Sequence, residues 1–122
     1  MPGVDLLGDV QPAPLDELYN GATFHVTPSI PEGFGYPPLE AMARCVPTIA
    51  STGSAMDETL GDAALRVHPL DVTGWADAMT SFATDEDARV CLVTAGREVA
   101  ARFSWTRTAD AYAQIYRDAL GI

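Results

Sequence analysis

The residues best suited to chemistry lie in a short stretch that combines two carboxylates, two glycines and an adjacent pair of prolines. Residues 28–43 read PSIPEGFGYPPLEAMA, and seven residues separate Glu32 from Glu40. Glycine admits both signs of φ and proline removes an amide donor, so one continuous helix or strand is excluded. The stretch therefore predicts a shaped loop that leads into a helix.

The loop and the helix after it have the features of an anion site. Gly33 and Gly35 let a ligand approach the backbone closely, because no Cβ intervenes. Pro37 and Pro38 suit the entry of a helix, where a missing amide costs nothing. The free amides are then predicted at the start of that helix, at Leu39, Glu40 and Ala41. The positive end of the helix dipole makes this position suitable for phosphate.

The two carboxylates next to this anion site are predicted to bind a different part of the ligand. A carboxylate cannot favour a phosphate by charge, but it accepts paired hydrogen bonds from a vicinal diol. Glu32 and Glu40 are therefore predicted to bind hydroxyl groups, such as those of sugars. The alternatives are a plain surface carboxylate at Glu32 and an exposed ion pair between Glu40 and Arg44, four residues along the same helix.

The surrounding elements place this loop at the edge of a sheet. Short apolar runs predict strands at 4–7, 23–27, 48–50 and 65–68, with helices at 15–20, 38–44 and 56–60. Such alternation favours an α/β fold with parallel strands. Because ligands of open parallel sheets bind beyond the carboxyl ends of the strands, the loop after strand 23–27 is in a binding position.

The C-terminal half has the apolar spacing of three amphipathic helices. Their predicted N-caps are Asp71, Asp85 and Ser104, and Gly121 suits the last helix end. The aromatic stripe of the last helix is predicted to pack in the core; its members are Trp105, Tyr112 and Tyr116.

Composition limits the partners and the compartment. The 122 residues are 48% hydrophobic, as expected for one folded domain, and carry a net charge of −10 with seven arginines and no lysine. Nucleic acid and anionic membrane surfaces are therefore improbable partners. No apolar run is long enough for a membrane span and the first residues lack a signal-peptide pattern, so a cytoplasmic location is predicted. Cys45 and Cys91 lack the spacing of metal ligands and are predicted to be buried, reduced thiols.

A family resemblance covers essentially the whole chain. The segment PSIPEGFGYPPLEAMARCVPTIAS resembles the E-x7-E region of family 4 retaining glycosyltransferases, which have the GT-B fold. The preceding VDLLGDVQPAPLDELYNGA is similar to the family's strand and helix before the motif. The later segments DETLGDAALRVHPLDVTGWADAM and FSWTRTADAYAQIYRDAL resemble its downstream elements.

The resemblance implies that residues 1–122 form part of the C-terminal, nucleotide-sugar-binding domain of such an enzyme. This part would be a partial Rossmann-like parallel sheet followed by C-terminal amphipathic helices. Glu32 would then be the catalytic residue that contacts the donor sugar, and Glu40 would bind the ribose diol. The backbone would hold the rest of the donor, with amides of Gly33, Phe34 and Gly35 at the sugar and those of Leu39 to Ala41 at the diphosphate. No metal and no cofactor are expected beyond the nucleotide-diphosphate sugar itself.

The chain also departs from the family pattern. Cys45 occupies the position after the EAMA helix where the family usually has glycine, which predicts an altered helix exit. The acceptor domain and the first two strands of the donor domain have no counterpart, so either a homodimer through exposed sheet edges or a missing complementary domain is expected. Two other interpretations stay open: a catalytically silent fold remnant or interaction module, and a phospho-acceptor domain using Asp5 and Asp9, although the lysine of such domains is missing.

Overall fold

The chain forms a three-stranded parallel sheet in a computed structural model that describes residues 3–122. The strands are β1 (His25–Thr27), β2 (Thr48–Ser51) and β3 (Leu65–Val67), in the order β1-β2-β3. Ile49 pairs with Val26 on one side and with Leu65 on the other. The predicted α/β class with a parallel sheet is confirmed.

Helices precede, separate and follow the strands. Their bounds are α1 Pro12–Gly21, α2 Tyr36–Ala43, α3 Met56–Leu60, α4 Val72–Thr84, α5 Glu86–Ala100 and α6 Trp105–Leu120. The predicted N-caps are confirmed: Asp71 accepts from the Gly74 amide at 2.9 Å, Asp85 from Ala88 at 3.1 Å and Ser104 from Arg107 at 3.2 Å. Gly121 ends α6 in the left-handed conformation, as predicted.

The core lies on both faces of the sheet, because β2 is completely buried and its side chains alternate between the faces. Ile49 packs with Trp75 and Phe82 of α4, whereas Ala50 belongs to the cluster that α2, α3 and α5 form on the opposite face. A third, smaller cluster joins α1 to α2 through Tyr19, Ala41 and Val46.

The prediction of a strand at 4–7 is wrong. These residues have no regular secondary structure, and the Leu6 side chain is 94% exposed. A strand exists only with a pairing partner, and the three strands already pair in chain order without it. Residues 4–7 therefore add no strand to the sheet.

Helix α6 is amphipathic as predicted, but its apolar face does not enter the core. Trp105 is 84% exposed, and Tyr112 and Tyr116 are also exposed. None of the residues of α6 is buried. The prediction of core packing for this aromatic stripe is thus wrong, because the spacing identifies an apolar face without identifying what covers it. No helix within residues 3–122 has the length and apolar character needed to cross a bilayer.

Candidate functional site

The site is built where the parallel strands end together. The β1–α2 loop, residues 28–35, leaves the carboxyl end of β1, and the β2–α3 segment, residues 52–55, leaves the neighbouring end of β2. The Ser51 hydroxyl donates to the Ser29 carbonyl at 2.5 Å and so ties the two exits together. The loop thus lies at the edge of the sheet predicted to bind ligands.

Gly35 fixes the shape of the loop. It has φ of 91° and is the N-cap residue of α2, a conformation that residues with a side chain rarely adopt. A Cβ at this position would lie 2.9 Å from Met56 Cγ, so the close approach of α3 also requires glycine. Gly33, in contrast, has open space around the position of a Cβ.

The free amides lie earlier than the sequence predicts. Helix α2 begins at Tyr36 rather than near Pro38, and the Leu39 amide donates to the Gly35 carbonyl at 3.3 Å as the first bond of the helix. The prediction of a free amide at Leu39 is therefore wrong. Because the two prolines lack amides, the donors left at this helix start are those of Gly35 and Tyr36. The side chains of Leu39 and Ala41 are buried in the core.

The Glu32 carboxylate turns back onto its own loop. Its Oε1 accepts a hydrogen bond from the Gly33 amide at 3.1 Å, and the residue is half-buried. One of the three loop amides predicted to face a ligand is therefore engaged by this carboxylate. The amides of Phe34 and Gly35 follow directly along the loop.

The Glu40 carboxylate is exposed and has an unexpected partner. The Tyr19 hydroxyl lies 3.2 Å from Glu40 Oε2 and 3.4 Å from the Pro37 carbonyl oxygen. Arg44 does not form the predicted ion pair: it donates to the Glu40 carbonyl oxygen at 3.0 Å and pairs with the Asp16 carboxylate. The Glu40 carboxylate thus remains open toward solvent, with Oε1 and part of Oε2 able to accept further hydrogen bonds.

Tyr19 was not identified from the sequence, because it lies 21 residues before Glu40 and no local spacing joins them. Burial of the ring raises the pKa of Tyr19 to about 12; the negative charge of Glu40 and the hydrogen bond to it act in the same direction, and Arg44 opposes them. The Arg44 guanidinium lies 5.2 Å from the centre of the Tyr19 ring. The phenol is accordingly a neutral donor to Glu40.

An aromatic groove borders the loop. The Phe34 ring meets Phe103 edge to face, with ring centres 5.3 Å apart, and lies 4.9 Å from the Tyr36 ring. A cavity of about 150 Å³ lies between these rings and the start of α6, where Ser104, Trp105 and Thr108 complete its lining. An apolar recess therefore adjoins the free amides of the loop.

Among residues 3–122, no group of three or more His, Cys, Asp and Glu side chains is arranged to hold a metal ion. Binding without a metal stays a prediction.

The predicted change at the exit of α2 does not occur. Cys45 adopts φ of 62°, and the Val46 amide donates to the Ala41 carbonyl at 3.0 Å, which is the pattern of a Schellman helix end. The residue thus takes the left-handed conformation that usually requires glycine. Its thiol is exposed, as is that of Cys91, so the prediction of buried thiols is wrong.

Known proteins are similar to this chain in sequence and in fold. Residues 1–85 match the family described as glycosyl transferases group 1. The D-inositol 3-phosphate glycosyltransferase of Saccharomonospora viridis is 37% identical over 108 residues, which are 87% of this chain and 25% of that protein. The O-antigen chain mannosyltransferase B of Escherichia coli is 37% identical over 110 residues, or 87% of this chain and 29% of that protein.

A solved structure agrees with the sequence relatives. The sucrose-phosphate synthase from Thermosynechococcus elongatus superimposes with a TM-score of 0.83 at 30% identity, over 94% of this chain and 30% of that one. The chain thus spans between 25% and 30% of these three proteins. The parallel sheet, the loop after β1 and helices α1 to α4 all lie within residues 1–85, which match the family. The chain therefore belongs to the glycosyl transferases group 1, and it corresponds to part of a domain of the GT-B fold.

Proposed function

We propose that this chain is the donor-binding part of a retaining glycosyltransferase that takes a sugar from a nucleotide-diphosphate sugar. The observation that carries the proposal is the loop at the carboxyl end of β1, where glycine-shaped backbone amides adjoin the exposed Glu40 carboxylate. The relatives named above transfer sugars, which agrees with this use of the loop. The acceptor is not specified by these residues.

Each part of the donor has a matching group. Glu40 accepts hydrogen bonds from the two hydroxyls of the ribose, and Tyr19 orients the carboxylate for them. The amides at Gly35 and Tyr36 face the diphosphate at the positive end of α2. Glu32 then binds the hydroxyls of the transferred sugar near the reacting carbon, once its bond to Gly33 is exchanged for one to the ligand.

The donor is bound without a metal or another cofactor in this proposal. The diphosphate charge that develops as the sugar leaves is stabilised by the oriented amides of the loop and the dipole of α2. Arg44, the basic residue nearest in sequence to the loop, is occupied by Asp16 and supplies no charge there. Full transfer therefore requires cations and an acceptor site from a complementary domain or a second copy of this chain. A cytoplasmic location, where nucleotide sugars are made, fits this role.

An interaction module without catalysis is the second candidate. It is favoured by the exposed apolar face of α6, which is of the kind found at protein interfaces. Donor binding separates the two candidates, because a silent module does not need to keep the loop amides open.

The test is a nuclear magnetic resonance titration of the 122-residue chain with UDP-glucose and GDP-mannose. We expect chemical-shift changes confined to residues 33–41. The dissociation constant should lie in the high micromolar to millimolar range, which corresponds to a binding free energy of about −4 to −5 kcal/mol. Free glucose and mannose serve as controls and should not shift these signals at the same concentration. An unchanged spectrum at millimolar concentrations of both donors contradicts the proposal.

Two variants separate the roles of the carboxylates. Glu40→Gln should weaken the binding of the nucleotide sugar and of its parent nucleoside diphosphate alike, by about 10-fold, because a charged hydrogen bond to the ribose is lost. Glu32→Gln should weaken the binding of the nucleotide sugar and leave that of the nucleoside diphosphate unchanged. The control is Glu86→Gln, at the exposed start of α5, which should change neither affinity. Small, equal effects of the first two variants would mean that both carboxylates are surface residues.

A further inference from the structure

Arg66 lies on β3 beneath the site and holds the neighbouring backbone in place. Its strand position pairs with Ala50 of β2, and its side chain is only 16% exposed. Nη1 donates to the Met56 carbonyl at 2.9 Å, and Nη2 donates to the Ser51 carbonyl at 2.5 Å. One guanidinium thus joins the end of β2 to the start of α3.

A carboxylate extends this arrangement to the segment between β2 and α3. Asp57 pairs with Arg66 through one oxygen, and its other oxygen accepts from the Gly53 amide at 2.9 Å. The β2–α3 segment is therefore attached at both ends to the same side-chain pair. Asp57 itself is exposed, so the pair lies at the boundary between core and solvent.

The held segment in turn contacts the loop that carries the free amides. Met56 is fully buried, and its Cγ occupies the space next to Gly35 in which a Cβ would not fit. The Phe34 ring packs against the cluster that contains Met56. At the other end, the Ser51 hydroxyl bonds to Ser29 at the start of the same loop. Both groups that Arg66 holds by their carbonyls therefore contact the β1–α2 loop with their side chains.

We propose that Arg66 is a positioning residue for the donor-binding loop. By holding the Met56 backbone, it keeps the Met56 side chain against Gly35, and this contact keeps the amides of Gly35 and Tyr36 directed outward. The effect on donor affinity rests on the function proposed above, whereas the coupling between Arg66 and the loop does not.

Burying the Arg66 guanidinium costs free energy, which indicates that its role is to position the backbone. Arg66 Nε is buried without a hydrogen-bond partner among the described residues. Burial also lowers the pKa of Arg66, against the opposing effect of Asp57. A leucine or methionine at this site would avoid both costs, because an unpaired buried donor is unfavourable.

The experiment compares Arg66→Met with the wild-type chain by backbone relaxation and hydrogen exchange. Order parameters of Phe34 to Tyr36 should fall from about 0.85 toward 0.6 or below, the range of a flexible backbone. The Leu39 amide, which bonds to Gly35, should exchange about 10-fold faster or more, as follows from losing a charged hydrogen bond. Arg66→Lys keeps a charged donor and should restore part of the order.

The matched control is Arg89→Met. Arg89 also donates to a backbone carbonyl, that of Phe82 in α4, and its neighbours Ala88 and Leu92 pack against the cluster of Phe82, which does not include α3. It should lower the overall stability and leave the order of residues 34–36 unchanged. If Arg66→Met instead accelerates all protected amides equally, or leaves the loop unchanged, the proposal is overturned.

A second variant decides the case in which Arg66→Met does not fold. Asp57→Asn removes an exposed charge and one of the two oxygens that accept from Arg66 and Gly53, so the fold should persist with this contact weakened. Reduced order at residues 34–36 in this variant supports the proposal, and unchanged order overturns it. Donor titrations of the folded variants complete the test: if the wild-type chain binds no donor, the proposed function fails, while the order parameters still decide the coupling.

Discussion

The hydrogen bond between Tyr19 and Glu40 joins α1 to α2 close to the donor-binding loop. It depends on the phenol being protonated, because a phenolate would repel the carboxylate across this short distance. Burial and Glu40 together keep the phenol protonated at pH values above the usual pKa of tyrosine. The position of the Glu40 carboxylate is therefore insensitive to pH near neutrality.

This pair makes stability depend on pH in a defined alkaline window. The pKa of Tyr19 rises from 10.0 in the unfolded chain to about 12 in the fold. The stabilisation is therefore complete below pH 10 and is lost as the pH rises through 12. We expect the urea midpoint of Tyr19→Phe to change less than that of the wild-type chain between pH 10 and 12.

The comparison controls for other groups, since every residue except position 19 is the same in both proteins. Tyr112→Phe, at an exposed position of α6, should retain the full pH dependence. If Tyr19→Phe loses as much stability across this window as the wild-type chain, the phenol is not the responsible group.

Sequence reasoning identified candidate residues that share one short stretch of the chain. Glu32, Gly35 and Glu40 lie within a stretch of nine residues, and their types alone indicate a loop with carboxylates at a helix start. Tyr19 and Arg66 could not be found in this way, because each reaches the site by folding of a different element. A tyrosine in a helix and an arginine in a strand carry no signal of the partners they meet.

At the scale of the element, the exit of α2 shows a residue in an unfavourable conformation. Cys45 at φ of 62° carries a Cβ where the left-handed region costs roughly 1–2 kcal/mol. Glycine removes this cost but loses more chain entropy on folding, by about 0.5–1 kcal/mol. We expect Cys45→Gly to raise the free energy of unfolding by about 0.5–1 kcal/mol, measured by urea denaturation.

The same substitution at Cys91 is the control. Cys91 lies within α5 in ordinary helical conformation, where glycine should lower stability by a few tenths of a kcal/mol. Opposite signs for the two substitutions support the assignment of strain to Cys45. A loss of stability at both positions contradicts it.

Removing a helix cap should affect stability differently in α4, which packs on the core, and in α6, which does not. Ser104→Ala removes the cap of α6, where about 1 kcal/mol should be lost. Because no residue of α6 is buried, the loss should appear as faster hydrogen exchange within α6 and not as a lower global stability. Asp71→Ala, in contrast, should lower the global stability by a similar amount, since α4 packs on the sheet through Trp75. Equal global effects of the two variants would contradict this distinction.

Sequence patterns predicted burial correctly where an apolar face has a neighbouring element that covers it. β2 and α4 combine an apolar face with a neighbour that covers it. The segment at 4–7 and the stripe of α6 show the same apolar spacing and stay exposed. Spacing reports that a face is apolar, and only the rest of the fold decides whether that face is buried.

At the scale of the whole molecule, the exposed faces add up to an unusually large surface. The accessible area is 8251 Å², whereas a compact monomer of this mass exposes ~6,300 Å². The excess on this one chain, about 1,900 Å², is larger than the ~800 Å² that each partner buries in an interface of standard size. A homodimer or a complementary domain that covers this area stays a prediction.

The large exposed surface has a calorimetric consequence. The unfolded chain exposes ~18,900 Å², so folding removes about 15% less surface from water than a compact domain of this size would. The heat capacity of unfolding follows the surface exposed, and a typical chain of this length gives ~1.6 kcal/mol/K. Scanning calorimetry at low protein concentration should return a value at least about 15% smaller, because the missing burial is mainly apolar. The stability curve of the isolated chain would then be flatter than usual, with a broader temperature range between cold and heat unfolding for the same maximum stability. A full-sized heat capacity that falls on dilution would instead show that another copy covers the exposed faces.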